Sequence, residues 1–595
     1  MECRVDLTTY RDFPAAEWVV YFRNAGEQAS PILADIRPLD LAWPVNSVAV
    51  LHRSRGSRSS LDDFLYTSEP LGNAPVRMAA GGGRSSNDWL PFFNLQSGDA
   101  GVIVAVGWSG QWAAQVVRAG PDQVRLSAGQ ELTHLKLHPG EEIRTPRIAL
   151  LFWNGAPLDG HNLWRRFVLA HHTPQRDGRP VTAPLCCSTW GATSDAAHFE
   201  SVCIVQREKL PYEVYWVDAG WYGPPEAYAP DVDSSDSTWS RFVGDWRPNP
   251  VPHPHGLKPV SDAAHAAGMK FLLWVESERA VDGMPWTREH PEWYLHSRAS
   301  PEAPSGCRNL LFDLGNPEAR RFLTDFLSRL IAENGLDWYR QDFNIEPLLY
   351  WREADAPDRQ GMAEIRHIEG LYAMWDELLQ RHPGLMIDNC ASGGRRIDLE
   401  LISRSLPLWR SDWQCLPDFN AAGGQVETLG LAYWVPLSAC GTNLRPSDTY
   451  NFRSALSAGI VLGLIGLEHS LIAPNYPFDW HRRMLAEFLR ARPFFYGDYY
   501  PLLPISAALD VWAAYQFHRP DLDAGLVAVF RREHSAFVSA DLPLHGLEPQ
   551  NPYELEDTDT GTVETTSGAA LASAGLRVTL DAPRSSKLIF YRKPG

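Results

Sequence analysis

Between about Pro184 and Phe495, short apolar runs alternate with segments of helical period. No other feature restricts the fold as much, because strands that alternate with helices pair in parallel and bury both faces. The spacing predicts strands at Leu185–Thr189, Val214–Val217, Phe271–Val275, Trp338–Gln341, Leu385–Asn389 and Leu406–Arg410. Two more are predicted near Val435–Ala439 and Leu462–Gly466. Eight such strands over roughly three hundred residues fit one (β/α)8 TIM barrel with generous loops. The helix before the fourth strand is the most legible. Asn316 suits its N-cap and Pro317 its first turn, Phe322, Leu323, Phe326, Leu327, Leu330 and Ile331 form one stripe, and Asn334-Gly335 closes it.

In a parallel barrel the C-terminal strand ends face one cleft, so their residues carry the functional signal. The fourth strand runs through Arg340, Asp342 and Asn344, which alternate and therefore share a face. A carboxylate beside a fixed cation stays ionised, as a nucleophile requires. An Asp–Arg ion pair that only caps the strand is the competing reading. The other strand ends give Asp218-Ala-Gly-Trp221, Trp274-Val-Glu-Ser-Glu278, Asp388-Asn-Cys-Ala-Ser-Gly-Gly394 and Arg410-Ser-Asp412-Trp413. Helix capping accounts for Asp218 or Asp412 singly, but not for carboxylates, indoles and guanidinium groups on successive ends.

The flanks read as β structure. Residues 1–183 are expected to form an N-terminal β-sandwich, residues 184–495 the catalytic barrel, and residues 496–595 a small C-terminal β-sandwich. Runs such as Trp18–Phe22, Ser47–Leu51, Gly101–Gly107 and Leu132–Leu137 precede the barrel, and a helical period appears at about Leu163–His171. Gly525–Phe530, Gly575–Leu580 and Lys587–Tyr591 follow it. Gly81–Gly83 lacks a following Gly-Lys-Ser/Thr and reads as a turn.

A net charge of −18 without a long basic run argues against nucleic acid and anionic membranes. No stretch is apolar enough to span a bilayer. The eight cysteines contain no C-x-x-C pair, and the amino terminus lacks the basic-then-apolar pattern of a secretory signal, so a reducing cytoplasm is the expected location. His171-His172 and His253-Pro-His255 have no carboxylate at zincin spacing. No metal and no cofactor is therefore expected. The 23 Trp and 20 Tyr hint at carbohydrate, on which such rings stack. Two inward carboxylates without metal or cofactor point to glycoside hydrolysis.

At this point the sequence resembles glycoside hydrolase family 36, the melibiase-type α-galactosidases and α-N-acetylgalactosaminidases. The family pattern of Lys-Trp-Asp-x-Asn, Cys-x-Ser-Gly-Gly-x-Arg-x-Asp and Ser-Asp-Asn appears here as three segments. These are Arg340-Gln-Asp342-Phe-Asn344, Cys390-Ala-Ser-Gly-Gly-Arg-Arg396-Ile-Asp398 and Ser411-Asp412-Trp413. Gly107-Trp-Ser-Gly-Gln-Trp112 resembles the amino-terminal sandwich, and Arg308-Asn309 with Phe312-Asp-Leu314 resembles the barrel.

The resemblance implies a retaining exo-α-glycosidase with Asp342 as nucleophile and Asp412 as acid/base, their carboxyl groups about 5–5.5 Å apart. It implies that Asp218, Trp274, Arg308, Arg340, Asn344 and Cys390 line the sugar pocket. Ser392, Gly393 and Arg396 would shape its loop, Trp413 would bury the acid/base, and Trp190 and Trp221 would serve as walls. Three positions depart from the pattern: Ala219 replaces a second Asp, Arg340 replaces Lys and Trp413 replaces Asn. The expected substrate is an oligosaccharide or glycoconjugate with a terminal α-linked galacto-configured sugar. An α-N-acetylgalactosaminidase, another α-glycosidase of altered specificity, a transglycosylase and a non-catalytic sugar-binding paralogue stay open as alternatives, and family analogy allows a homo-oligomer.

Overall fold

The computed structural model describes residues 1–46, 48–227, 237–299, 306–443, 446–463 and 475–594. Seven strands form one parallel sheet in the middle of the chain. They are β1 (Leu185–Thr189), β2 (Val214–Val217), β3 (Lys270–Val275), β4 (Trp338–Gln341), β5 (Met386–Asn389), β6 (Ala439–Asn443) and β7 (Gly459–Gly463). Their order is β5-β4-β3-β2-β1-β7-β6, with every neighbouring pair parallel. Apolar residues such as Val214, Leu272, Leu273, Tyr339, Ile387 and Val461 are buried, as a sheet covered on both faces demands.

The sheet curls until its edges meet through residues 406–408. Leu406 N donates to Ile387 O at 3.0 Å, and Asn389 N donates to Leu406 O at 3.1 Å. On the other side Ala439 N donates to Pro407 O at 2.9 Å. The sheet is therefore barrel-like. The strand expected at Leu406–Arg410 is corrected to this short splice, with a single bridge between Asp388 and Leu406. Its ladder stops for two reasons. Pro407 has no N–H to give, and the N–H of Leu408 goes to the Asp388 carboxylate at 2.8 Å instead of a backbone carbonyl.

Two other expectations shift along the chain. The strand near Val435–Ala439 begins only at Ala439, because Trp434 and Val435 still donate to Leu431 O and complete the turn after the preceding helix. The one placed at Leu462–Gly466 is Gly459–Gly463, and residues 464–466 lie outside the described residues. The helix before β4 spans Pro317–Asn334. The Asn316 side chain accepts from the N–H groups of Glu318 and Ala319, and Gly335 closes the helix in the left-handed region at φ 64°.

The chain before the parallel sheet forms an eight-stranded and a four-stranded antiparallel sheet, with strands from Glu2–Thr9 to Arg147–Asn154. Phe93 and Val104 of the first and Leu126 of the second belong to one continuous core that also includes the parallel sheet. The run read as a strand at Leu132–Leu137 reduces to His134–Leu135. It pairs with Leu33–Ala34 on one side and with Arg359–Gln360, which follows β4, on the other. After the parallel sheet comes a six-stranded antiparallel sheet reaching from Asp498–Pro501 to Ser585–Arg592, with a two-stranded one beside it.

The helix Pro157–His171 ties these parts together. Its fully buried Arg165 donates to the carbonyls of Ala432, Phe495 and Gly497, and Trp164 donates to Trp434 O at 3.0 Å. A guanidinium this deep is held by oriented carbonyl dipoles, and removing it would strand several of them.

Candidate active site

The C-terminal end of β4 delivers Asp342, which is 7% exposed. Its carboxylate accepts four N–H donors. Phe343 N lies at 2.7 Å and Ser392 N at 3.1 Å from Oδ1, while Asn344 Nδ2 at 2.9 Å and the Trp274 indole at 3.0 Å serve Oδ2. Burial works to raise its pKa. The positive charge of Arg340 and these donors outweigh it, so Asp342 sits below the ordinary carboxylate range. Each donor has a local cause. Trp274 ends β3 beside Arg340 in parallel register, and Asn344 lies two residues past Asp342. Ser392 reaches it because the turn after β5 takes a left-handed conformation, φ 52° at Ser392 and 75° at Gly393.

Arg340 does not pair with Asp342 directly. Its guanidinium bonds Asp388 at the end of β5, lies 3.6 Å from Asp218 and rests 4.3 Å over the Trp216 ring. The capping Asp–Arg pair considered from the sequence is thereby corrected: the cation is shared among three carboxylates. Asp218 accepts from Trp216 Nε1 at 2.7 Å and from Ala219 N at 2.8 Å. Burial nonetheless leaves Asp218 and Asp388 raised, each also facing the charge of Asp342.

Asp412 follows the splice at residues 406–408. Its pKa is pushed up to about 6, first by burial and second by the negative charge of Asp342. The charges of Arg395 and Arg340 and a hydrogen bond from Trp409 Nε1 at 3.1 Å limit the rise. The turn that serves Asp342 also braces this residue. Gly393 pairs with Ser411, and Gly394 N donates to Arg410 O at 2.9 Å. A buried anion and a carboxyl with its pKa pushed up to about 6 thus lie close enough for each to act on the other's charge. Such a pair can supply a negative charge to a developing cation and a proton to a leaving group.

Most of the residues singled out in the sequence converge here: Asp342, Asp412, Asp218, Trp274, Arg340, Asn344, Cys390, Ser392 and Gly393. Cys390 is buried, accepts from Gly393 N at 3.3 Å and is influenced by both Asp342 and Asp412. Trp190 is half-buried against Trp239, whose ring stands edge-on to Trp274 at 5.5 Å.

Four residues do not land where expected. Arg308 is exposed and lines a separate cavity of about 880 Å³ with Tyr294, His296 and Glu353. The indole of Trp413 donates to Asn420 O at 3.0 Å, tucked against Gly423, and the indole beside the Asp412 carboxyl is that of Trp409. Trp221 is fully buried behind Trp274, to whose carbonyl it donates at 2.8 Å. Arg396 lies beneath the floor, paired with buried Glu278 and stacked on Phe343.

Trp216, Trp409 and the pair Glu276–Arg279 were not singled out. Trp216 was readable, since it precedes Asp218 by two positions on the same strand face. Glu276 accepts from Asn344 N at 2.6 Å and from Arg279 at 2.5 Å. Trp409 carried no such signal, because its segment is not a regular strand.

A barrel-like parallel sheet with paired carboxylates at its strand ends is an arrangement that glycoside hydrolases use. The family model described as Melibiase matches residues 153–441. Alpha-galactosidase AgaA of Geobacillus stearothermophilus is 26% identical over 80% of this chain and 65% of its own. Alpha-galactosidase 1 of Pediococcus pentosaceus is 25% identical over 93% of this chain and 75% of its own. The chain thus spans about two thirds to three quarters of the length of these curated relatives. The crystal structure of an alpha-galactosidase from Lactobacillus brevis superposes with a TM-score of 0.84 at 20% identity, covering 100% of this chain and 80% of the other, a likeness of fold. The chain thus resembles the melibiase-type family, glycoside hydrolase family 36.

Proposed function

We propose that the protein is a retaining exo-α-glycosidase acting on terminal α-linked galactosides, with Asp342 as nucleophile and Asp412 as acid/base. The proposed architecture is a closed (β/α)8 barrel at residues 184–495 between sandwiches at 1–183 and 496–595. The opposite displacement of the two carboxyls carries the reading: Asp342 held low by Arg340 and four donors, Asp412 held up to about 6 beside it. In the first step the Asp342 carboxylate bonds the anomeric carbon as the glycosidic C–O bond breaks, and Asp412 gives its proton to the leaving oxygen. In the second, Asp412 takes a proton from water, which attacks the same carbon and frees Asp342.

Galactose as the sugar rests on the names of the relatives, all alpha-galactosidases, and a neighbouring structure of AgaA holds raffinose. Ala219, buried beside Asp218, places a methyl group where the family pattern has a second carboxylate. The sugar is therefore best determined directly, with aryl α-galactoside, α-N-acetylgalactosaminide, α-galactosaminide, β-L-arabinopyranoside and α-glucoside. Turnover of the α-galactoside that vanishes in Asp342→Ala supports the proposal. Turnover of the acetamido sugar alone would move it to an α-N-acetylgalactosaminidase, and binding without turnover would overturn it.

A further inference from the structure

The loop Gly81–Asn87 between two N-terminal strands sends Arg84 into the site from behind. The residue is 2% exposed. Its Nη1 donates to Ser392 Oγ at 3.1 Å, Phe343 O at 3.3 Å and Ala391 O at 3.4 Å, and its Nη2 lies 3.6 Å from Glu346. All these partners lie more than 250 positions away in sequence. Two of them belong to residues that serve Asp342: Phe343 and Ser392 each give that carboxylate a backbone N–H. Ser392 Oγ also donates to Asn344 Oδ1 at 2.8 Å, and Asn344 is a third donor to Asp342.

Neighbouring residues lock the same loop in place. Ser85 Oγ donates to Asp398 at 2.8 Å, Ser86 Oγ to Gly394 O at 2.7 Å, and Ile397 N to Ser86 Oγ at 2.7 Å. The geometry brings in glycine as well: a Cβ on Gly82, at φ +62°, would lie 2.6 Å from the Glu346 carboxyl carbon. The backbone contact is made at the next residue, where a Cβ on Gly83, at φ +89°, would lie 2.9 Å from Leu348 N, so the loop is held against the segment after Asp342 in a conformation that favours Gly.

We propose that Arg84 is a positioning residue for the nucleophile, fixing the three donors on Phe343, Asn344 and Ser392 so that Asp342 stays ionised and aimed. The inference rests on the role assigned to Asp342 above. Stability alone does not account for Arg84. Its partners are mostly neutral, its Nε has no hydrogen-bond partner among the described residues, and its one ion pair is long, to an exposed Glu346. Burial and the nearby charge of Arg395 push its pKa down to about 10. A guanidinium kept so deep with so little compensation is a cost to folding. The groups that also share charge interactions with Asp342 are Arg340, Arg279, Asp412, Asp218, Asp388, Glu276, Cys390 and Tyr222. Arg84 adds a further cation that interacts with the Asp342 charge.

The test uses the full chain and the substrate that wild type hydrolyses best. Arg84→Met is expected to lower kcat by about ten- to a hundredfold with KM changed by less than about threefold, as small misplacements of reacting groups do. The acidic limb of kcat/KM should move up by about half a unit, because the anion has lost part of its support. Arg84→Lys keeps the charge but not the fork, so its limb should stay in place while kcat falls less. The overturning result is a loss of activity that only tracks the loss of folded protein, with the acidic limb and kcat per folded molecule unchanged in both variants. If Asp342→Ala itself retains turnover, the assignment of the nucleophile fails instead, and the two failures are told apart.

Discussion

Gly393 is pressed against the backbone of Asp412. A Cβ on Gly393 would lie 2.7 Å from the Asp412 nitrogen, and its φ of +75° is one that side chains avoid. The residue before it gives its N–H to Asp342. One tight turn therefore spaces the two carboxyls. Gly393→Ala should push the strands of this contact apart and strain the turn, costing about 1–3 kcal/mol of stability and about a hundredfold in kcat. Thermal unfolding together with steady-state kinetics checks both. An active, fully stable variant would show that the turn does not set the spacing.

The charge states predict a bell-shaped pH profile. Asp412 must be protonated to act first, so kcat/KM should fall as pH rises through about 6. Asp342 must be ionised, so the acidic limb should lie below the ordinary Asp range. These limbs belong to the pair as much as to either residue. Trp409→Phe removes an N–H that stabilises the Asp412 anion, and a carboxyl that loses a donor to its charged form titrates higher. The basic limb of that variant should move up. A limb that moves down, or that stays put, would contradict the part given to Trp409.

Arg340 serves three carboxylates, so its loss should be felt in folding as well as in rate. Arg340→Met leaves buried Asp388 without its cation and Asp342 without its largest stabilising charge. A cost of about 3–5 kcal/mol is expected, with activity reduced below detection. Arg340→Lys should fold better yet stay impaired, because an ammonium cannot both reach the carboxylates and lie flat on Trp216. Denaturant unfolding of the two variants separates the outcomes.

Glu364, in the helix Met362–Arg381, couples that helix to the segment between two N-terminal strands. It accepts Trp108 Nε1 at 2.7 Å and Gln111 N at 2.8 Å, and burial pushes its pKa up to about 7 from an ordinary 4.5. The folded protein therefore holds a proton that the unfolded chain has released between these values. The contribution of Glu364 to stability is complete below about 4.5 and declines as pH rises toward about 7. Glu364→Gln keeps the acceptor without the titration. It should flatten this part of the melting-temperature profile and match or exceed wild type at pH above about 7.

Much of this was legible in the sequence because it follows short-range rules. The helix Pro317–Asn334 announces itself by cap and stripe, and β4 carries Arg340, Asp342 and Asn344 on one face by simple alternation. The resemblance to the melibiase-type family was likewise borne by local motifs. What was not legible depends on contacts between distant parts. Leu406–Arg410 looks like a strand until Pro407 and the Asp388 carboxylate interrupt its ladder. Trp413 lies next to the acid/base in sequence, but a three-residue helical turn points its indole elsewhere and leaves Trp409 beside the carboxyl. Arg84 reads as part of a glycine-rich turn, and only the fold reveals that the turn docks behind the nucleophile. Arg308 shares a motif with the family yet faces another cavity.

The central claim is that Asp342 forms a covalent bond with the sugar, and trapping tests it most directly. The protein would be incubated with the 5-fluoro glycosyl fluoride of whichever sugar it hydrolyses, then analysed intact and as peptides by mass spectrometry. The account predicts a gain of one fluoro-glycosyl group, located on the peptide that contains Asp342, and no gain in Asp342→Ala. A label on Asp412 or another carboxylate, or first-formed product of inverted configuration, would contradict it.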